Sequence, residues 1–155
     1  MVLALAAGGL AQAAWLRARA RRSSSEGKEG IPLLAPWLGI GIAAGMAGWL
    51  KGLLNRPRPF EVIGGIGTAS LERGFSFPSG HTTLAFALAT AVGLRWPRWR
   101  AVSFGLAAAV ALSRVALGLH WPSDLLAGAL LGWGVVSGVA WVERIWFAPK
   151  KLRGG

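Results

Sequence analysis

Residues 31–50, IPLLAPWLGIGIAAGMAGWL, run for 20 positions without a charge, the length an α-helix needs to cross the roughly 30 Å hydrocarbon layer of a bilayer. A second uncharged run, LLAGALLGWGVVSGVAWV, covers residues 125–142 for 18 positions. Shorter apolar runs lie at Val2–Leu16, Thr82–Leu94 and Ala101–Leu112. None alternates with the period of two that marks a strand, and backbone groups in lipid must be satisfied within their own segment, so all five read as helices. The fold class is therefore all-α, a polytopic membrane helix bundle of about five transmembrane helices. At 155 residues the chain is one domain. Residues 1–30 supply a short first helix and a basic linker, and 31–147 the core.

Charge sets the sidedness. The net charge of +11 would suit a nucleic-acid binder, but its placement argues otherwise. Of 17 Lys and Arg, 12 fall in residues 17–28, in RWPRWR from Arg95, or from Arg144 onward. These are alternate ends of the proposed spans, and positive charge gathers on the cytoplasmic side. The expected topology has the N-terminus outside, five crossings and the C-terminus inside. Trp15, Trp37, Trp49, Trp96, Trp99, Trp121 and Trp146 fall near span ends, where an indole can bury its ring and hydrate its N–H. Ala11-Gln12-Ala13 resembles a signal-peptidase site, but the positive charges follow the apolar run, whereas a signal peptide places them before it. With no cysteine in the chain, disulfide and thiol chemistry are excluded.

Five cations remain on the opposite face: Lys51, Arg56, Arg58, Arg73 and Arg114. Arg56 and Arg73 are equally well explained by snorkelling to lipid headgroups. The others belong to motifs. His81 is 14 residues from Arg95, and Arg114 is 14 from Arg100, so both stand roughly 21 Å above the inner interface, at similar depth. Ionisable groups held there pair with one another or face a polar cavity.

The first motif is KGLLNRPRP, residues 51–59, where Pro57 and Pro59 force an extended chain that can hold Arg58 over the helix end carrying Lys51. Arginine offers a planar fork to two phosphate oxygens, and lysine a compact charge. In the second, PSGH at residues 78–81, Ser79 is a natural N-cap for the apolar helix that follows. N–H groups at a helix start attract anions, and Gly80 lets an oxyanion approach the backbone. The third, SRVALGLHWPSD, spans residues 113–124. Pro122 suits the first helical position, which puts Asp124 third, within reach of His120 as a capping-box acid reaches back. An acid on one ring nitrogen fixes the tautomer and leaves the other free to attack. His120 is thus the better nucleophile candidate and His81 the better acid. Apart from Asp124, the outer face carries only Glu61 and Glu72, too few acids for a two-metal cluster. No metal or other cofactor is expected, and charge stabilisation falls to cations and N–H groups.

Together, KxxxxxxRP (Lys51, Arg58, Pro59), PSGH and SRxxxxxHxxxD (Ser113, Arg114, His120, Asp124) resemble the full signature of the type 2 phosphatidic acid phosphatase superfamily. The resemblance implies the helical core shared by these phosphatases and vanadate haloperoxidases, and a metal-independent phosphatase acting on membrane lipids from the extracytoplasmic face of a bacterial or archaeal plasma membrane. It implies that His120 attacks phosphorus to give a phosphohistidine and that Asp124 orients it. His81 protonates the leaving group, and Lys51, Arg58, Ser79, Gly80 and Arg114 bind the phosphoryl oxygens. Membrane members commonly have six helices, against five counted here. Phosphatidic acid, phosphatidylglycerol phosphate and polyprenyl pyrophosphate such as undecaprenyl pyrophosphate are the candidate substrates. The partners expected are this lipid phosphate and the bilayer, with no nucleic acid and no obligatory protein. The glycine-rich loop Phe60–Phe77 reads as mobile, suited to gating. Two further readings are a vanadate-dependent haloperoxidase, whose known forms resemble larger soluble proteins, and a non-catalytic lipid-phosphate-binding or scramblase-like protein, against which His81, His120 and Asp124 argue.

Overall fold

The computed structural model describes residues 34–63 and 74–147. The expected first helix and linker, Arg73 and the middle of the glycine-rich loop lie outside these residues. Apolar, uncharged sequence gives four long helices: α1 (Leu34–Leu54), α3 (Gly80–Arg95), α4 (Arg100–Ala116) and α5 (Pro122–Phe147). A five-residue α2 (Pro59–Ile63) follows α1, and a 3₁₀ turn at Pro97–Trp99 joins α3 to α4. Among the described residues there is no strand.

Three stretches, Pro36–Ile63, Pro97–Ala116 and Pro122–Trp146, are long and apolar enough to cross a membrane. They correspond to three of the five expected crossings. The fourth, α3, has 16 residues, roughly 24 Å of helix, and lies at the centre, packed against α1, α4 and α5. Large apolar side chains point outward: Trp37, Leu38, Met46, Trp49, Leu106, Leu130, Trp141 and Trp146 are all exposed. The core instead consists of small residues, including Ala43, Ala47, Ala87, Ala89, Ala107, Ala111 and Ala140 with Val136. This inversion is expected where lipid replaces water, since close backbone approach drives helix association there and burying large side chains gains little.

The closest approach joins α3 to α5. A methyl group built on Gly128 would lie 2.8 Å from Ser79 O, and one on Gly132 would lie 2.8 Å from Ala87 N and collide with Thr83 O. At the same seam Thr83 and Thr90 satisfy their hydroxyls by donating to Ser79 O and Phe86 O, one turn back in α3. On the far side of α3, Phe86 meets Phe104 of α4 edge to face at 5.9 Å.

Helix ends are set by recognisable local chemistry. Asn55 ends α1 in the left-handed region, φ 44°, its N–H on Lys51 O, and the two prolines then keep the chain extended. At the end of α4, Leu119 N–H donates to Arg114 O and Gly118 N–H to Val115 O, with Gly118 at φ +68°. This is a Schellman turn with glycine at the left-handed position, and it delivers His120 two residues later. Gly118→Val should therefore destabilise the fold by about 2 kcal/mol, the left-handed penalty for an L side chain, and displace His120. A thermal melt in detergent beside an activity assay checks both effects.

Candidate active site

The three motifs meet at one end of α3. Ser79 caps this helix as the sequence predicts, its hydroxyl accepting from Thr82 N at 3.4 Å. Its own N–H donates to the main-chain oxygen of Asp124 at 3.1 Å, which ties PSGH directly to the start of α5. That bond occupies the Ser79 N–H, and the fully buried Ser79 hydroxyl accepts from Thr82 N and Thr82 Oγ1. His81 stands exposed in the first helical turn. The Lys51 stem passes over this helix start, its Cε 3.8 Å from where a Gly80 methyl would be.

Asp124 is the third residue of α5, as expected, and is fully buried. Its Oδ2 accepts from Trp121 N at 2.9 Å and lies 3.5 Å from His120 Nδ1. The geometry is that of a capping acid reaching back over its own N-terminus, which is where the imidazole stands. His120 is 2% exposed. Burial, then the positive charges of Arg58 and Lys51, push its pKa below the ordinary histidine value of 6.5, while Asp124 and a backbone hydrogen bond at Ser76 pull the other way. The net direction favours the neutral ring, the form that can attack an electrophile.

The expected phosphate ligands occupy distinct settings. Lys51 Nζ donates to Phe75 O at 2.8 Å. Arg58, 3% exposed, donates from Nε to Gly74 O at 2.8 Å and from NH1 to Leu119 O at 3.3 Å. Part of its fork thus clamps the segment before PSGH and the turn before His120. Arg114 lies in the last turn of α4, half-buried, with Nε 3.4 Å from Ser113 Oγ. The Pro57 carbonyl, between the two prolines of the first motif, accepts from Ser76 Oγ at 3.1 Å and from Trp121 Nε1 at 3.0 Å. One oxygen therefore ties the first motif to the segment before PSGH and to the third motif. Trp121 thus braces the site, a more specific role than the interfacial anchoring expected of it.

Two expectations need correction. The loop Phe60–Phe77 is not free throughout: residues 60–63 belong to α2, and at its other end Phe75 and Ser76 are tied to Lys51 and Arg56 by hydrogen bonds. Arg56 is more than a headgroup contact. Its NH1 donates to Asp124 Oδ1 at 2.8 Å and to Ser123 Oγ at 2.7 Å, and its guanidinium lies 5.5 Å from the Trp121 ring centre. Nothing in the local sequence separates Arg56 from Arg73, because the partner that defines it is 68 residues away. Among the described residues no three His, Asp, Glu or Cys side chains gather as a metal-ligand group.

The assembled site can bind a tetrahedral anion between a helix start and several cations, beside a buried imidazole backed by a carboxylate. Comparison with known proteins agrees with this chemistry. Phosphatidylglycerophosphatase B of Escherichia coli is 45% identical over 78 residues, 47% of this chain and 31% of that protein. Lipid A 1-phosphatase of Rhizobium etli is 31% identical over 149 aligned residues, 80% of this chain and 63% of that protein. The crystal structure of a transmembrane PAP2-type phosphatidylglycerolphosphate phosphatase from Bacillus subtilis superposes with a TM-score of 0.60 at 27% identity, covering 73% of this chain and 59% of the other. In each case the chain spans less than two thirds of its relative's length. The sequence profile of the PAP2 superfamily matches residues 32–147, three quarters of the chain and all three motifs, and the protein belongs to that superfamily.

Proposed function

We propose that the protein hydrolyses a membrane lipid phosphate or pyrophosphate without a metal, through a phosphohistidine on His120, at the extracytoplasmic face. The observation that carries this reading is the buried His120–Asp124 pair, 3.5 Å apart, set among Arg58, Lys51 and the N-terminus of α3. The imidazole nitrogen turned away from Asp124 attacks phosphorus as the lipid oxygen departs with a proton from His81. Positive charge then spreads over the ring, and the buried carboxylate stabilises it. Lys51, Arg58, Arg114, the Ser79 hydroxyl and the Gly80 N–H take the charge on the three equatorial oxygens, where fixed donors stabilise a transition state more than solvent can. Water activated by His81 releases phosphate. Relatives named for activity toward phosphatidylglycerophosphate and lipid A 1-phosphate support a lipid phosphate as the substrate class.

The test is phosphate release by the purified protein from phosphatidic acid, phosphatidylglycerol phosphate and undecaprenyl pyrophosphate, in detergent with excess EDTA. Full activity on one of them is expected; a strict Mg²⁺ requirement, or binding without turnover on all three, contradicts the reading. The pH profile has a definite sign. Because burial and two cations disfavour the imidazolium, His120 stays a nucleophile below the pH at which an ordinary histidine protonates. The acid limb of kcat/KM should thus fall below 6.5, the ordinary value. Lys51→Met removes one of those cations and should move the limb upward on the same substrate, where the lipid's own ionisation cancels.

A further inference from the structure

Arg56 lies inside the first motif but at one of the unspecified positions of KxxxxxxRP, yet it makes the shortest contact to the buried carboxylate. Its NH1 is 2.8 Å from Asp124 Oδ1, against 3.5 Å between Oδ2 and His120 Nδ1. The carboxylate is therefore shared. One oxygen accepts from the guanidinium; the other accepts from the Trp121 N–H and stands 3.5 Å from the imidazole Nδ1. Arg56 is itself held by Ser123 Oγ and the face of Trp121, so the residues on either side of Pro122 fix the cation that fixes the acid.

We propose that Arg56 is a positioning residue for the reaction: it turns the Asp124 carboxylate so that Oδ2 serves His120, and by neutralising that buried acid it keeps a resting proton off the imidazole. This rests on the reading of His120 as nucleophile. A buried carboxylate must find positive charge or take up a proton. With Arg56 present, the guanidinium supplies that charge. Without it, His120 is the neighbour able to supply it by protonating, and a protonated ring cannot attack phosphorus. Among the described residues, the contact shown at Oδ1 is that of Arg56. Arg58 and Lys51 disfavour protonation of His120, Glu61 accepts from the Arg58 backbone, Arg114 contacts Ser113, and the Ser79 N–H at the start of α3 donates to the main-chain oxygen of Asp124.

The experiment is steady-state kinetics of wild type, Arg56→Gln, Arg56→Lys, Arg56→Ala and His120→Ala on one lipid phosphate in detergent across pH. Arg56→Gln is expected to lower kcat about 10- to 100-fold, the range for loss of a group that orients a functional side chain, with KM nearly unchanged. Its acid limb should move to higher pH by about one unit, as expected when a histidine loses a competitor for its carboxylate partner. Arg56→Lys should recover part of both. The Arg56 side chain is 38% exposed, so millimolar guanidinium should reach the space left in Arg56→Ala and restore part of kcat. A merely structural role would give neither a shifted limb nor rescue, and that result overturns the proposal. A raised KM with unchanged kcat overturns it too, since Arg56 would then bind substrate. If Arg56→Gln is poorly folded, Arg56→Lys decides by the same two readouts. Full activity of His120→Ala, or none in wild type, would instead sink the proposed function.

Discussion

Replacing His120 by alanine should abolish turnover, with kcat falling on the order of 10⁶-fold, as when the nucleophile of a hydrolase is removed. The size of this loss follows from the site's construction. The cations and the helix start can still bind phosphate, but no other described side chain lies against the Asp124 carboxylate with a lone pair to offer phosphorus. Binding should therefore survive while chemistry stops, so orthovanadate or inorganic phosphate should still raise the melting temperature of His120→Ala. A rapid quench of wild type with labelled lipid phosphate should trap label that is acid-labile and base-stable, the behaviour of a phosphoramidate; none should appear in His120→Ala. Labelled enzyme without His120 would place the covalent step elsewhere. Asp124→Asn keeps the shape but removes the charge that supports the developing imidazolium, and a loss of about 10⁴-fold is expected, as for the acid of a hydrolase triad.

The second large effect lies away from the chemistry. Gly132→Leu should prevent α3 and α5 from docking, because even a single methyl group there would overlap Thr83 O. Backbone cannot yield as a flexible side chain does, so the helices must separate. The cost is at least about 3 kcal/mol, the upper part of the usual range for overpacking. Activity should vanish together with the melting transition, since Ser79 and Asp124 lose the contact that joins them. Gly138→Ala is the control: nothing lies within 4 Å of that position, and it should melt near the wild-type temperature. Equal stability of Gly132→Leu and Gly138→Ala would refute the packing argument.

Much of this was legible beforehand. Uncharged runs located the four long helices among the described residues to within a few positions, because a lipid-spanning helix has few ways to satisfy its backbone. Ser79 as cap and Asp124 as third residue of its helix followed from local rules that need no tertiary information. The Arg56–Asp124 pair did not, since an arginine ahead of a proline has the same sequence whether it meets a headgroup or a carboxylate. Nor was the α3–α5 seam read from Gly128 and Gly132, although their four-residue spacing is the usual mark of close helix packing in membranes. The chain has 23 glycines, and spacing alone does not say which pair faces a neighbour. The mobility assigned to the whole loop from Phe60 overlooked how strongly Lys51, Arg56 and Arg58 tether the end that leads into PSGH.

The backbone-to-backbone contact of α3 and α5 has a consequence for how such a protein can change. The elements that would do chemistry are joined through main-chain atoms and glycine. Side chains on the outer surface of the bundle, Trp37, Leu38, Leu106 and Leu130 among them, are then free to follow the acyl chains or isoprenoid tails they meet. Altering that coat would leave the α3–α5 joint as it was.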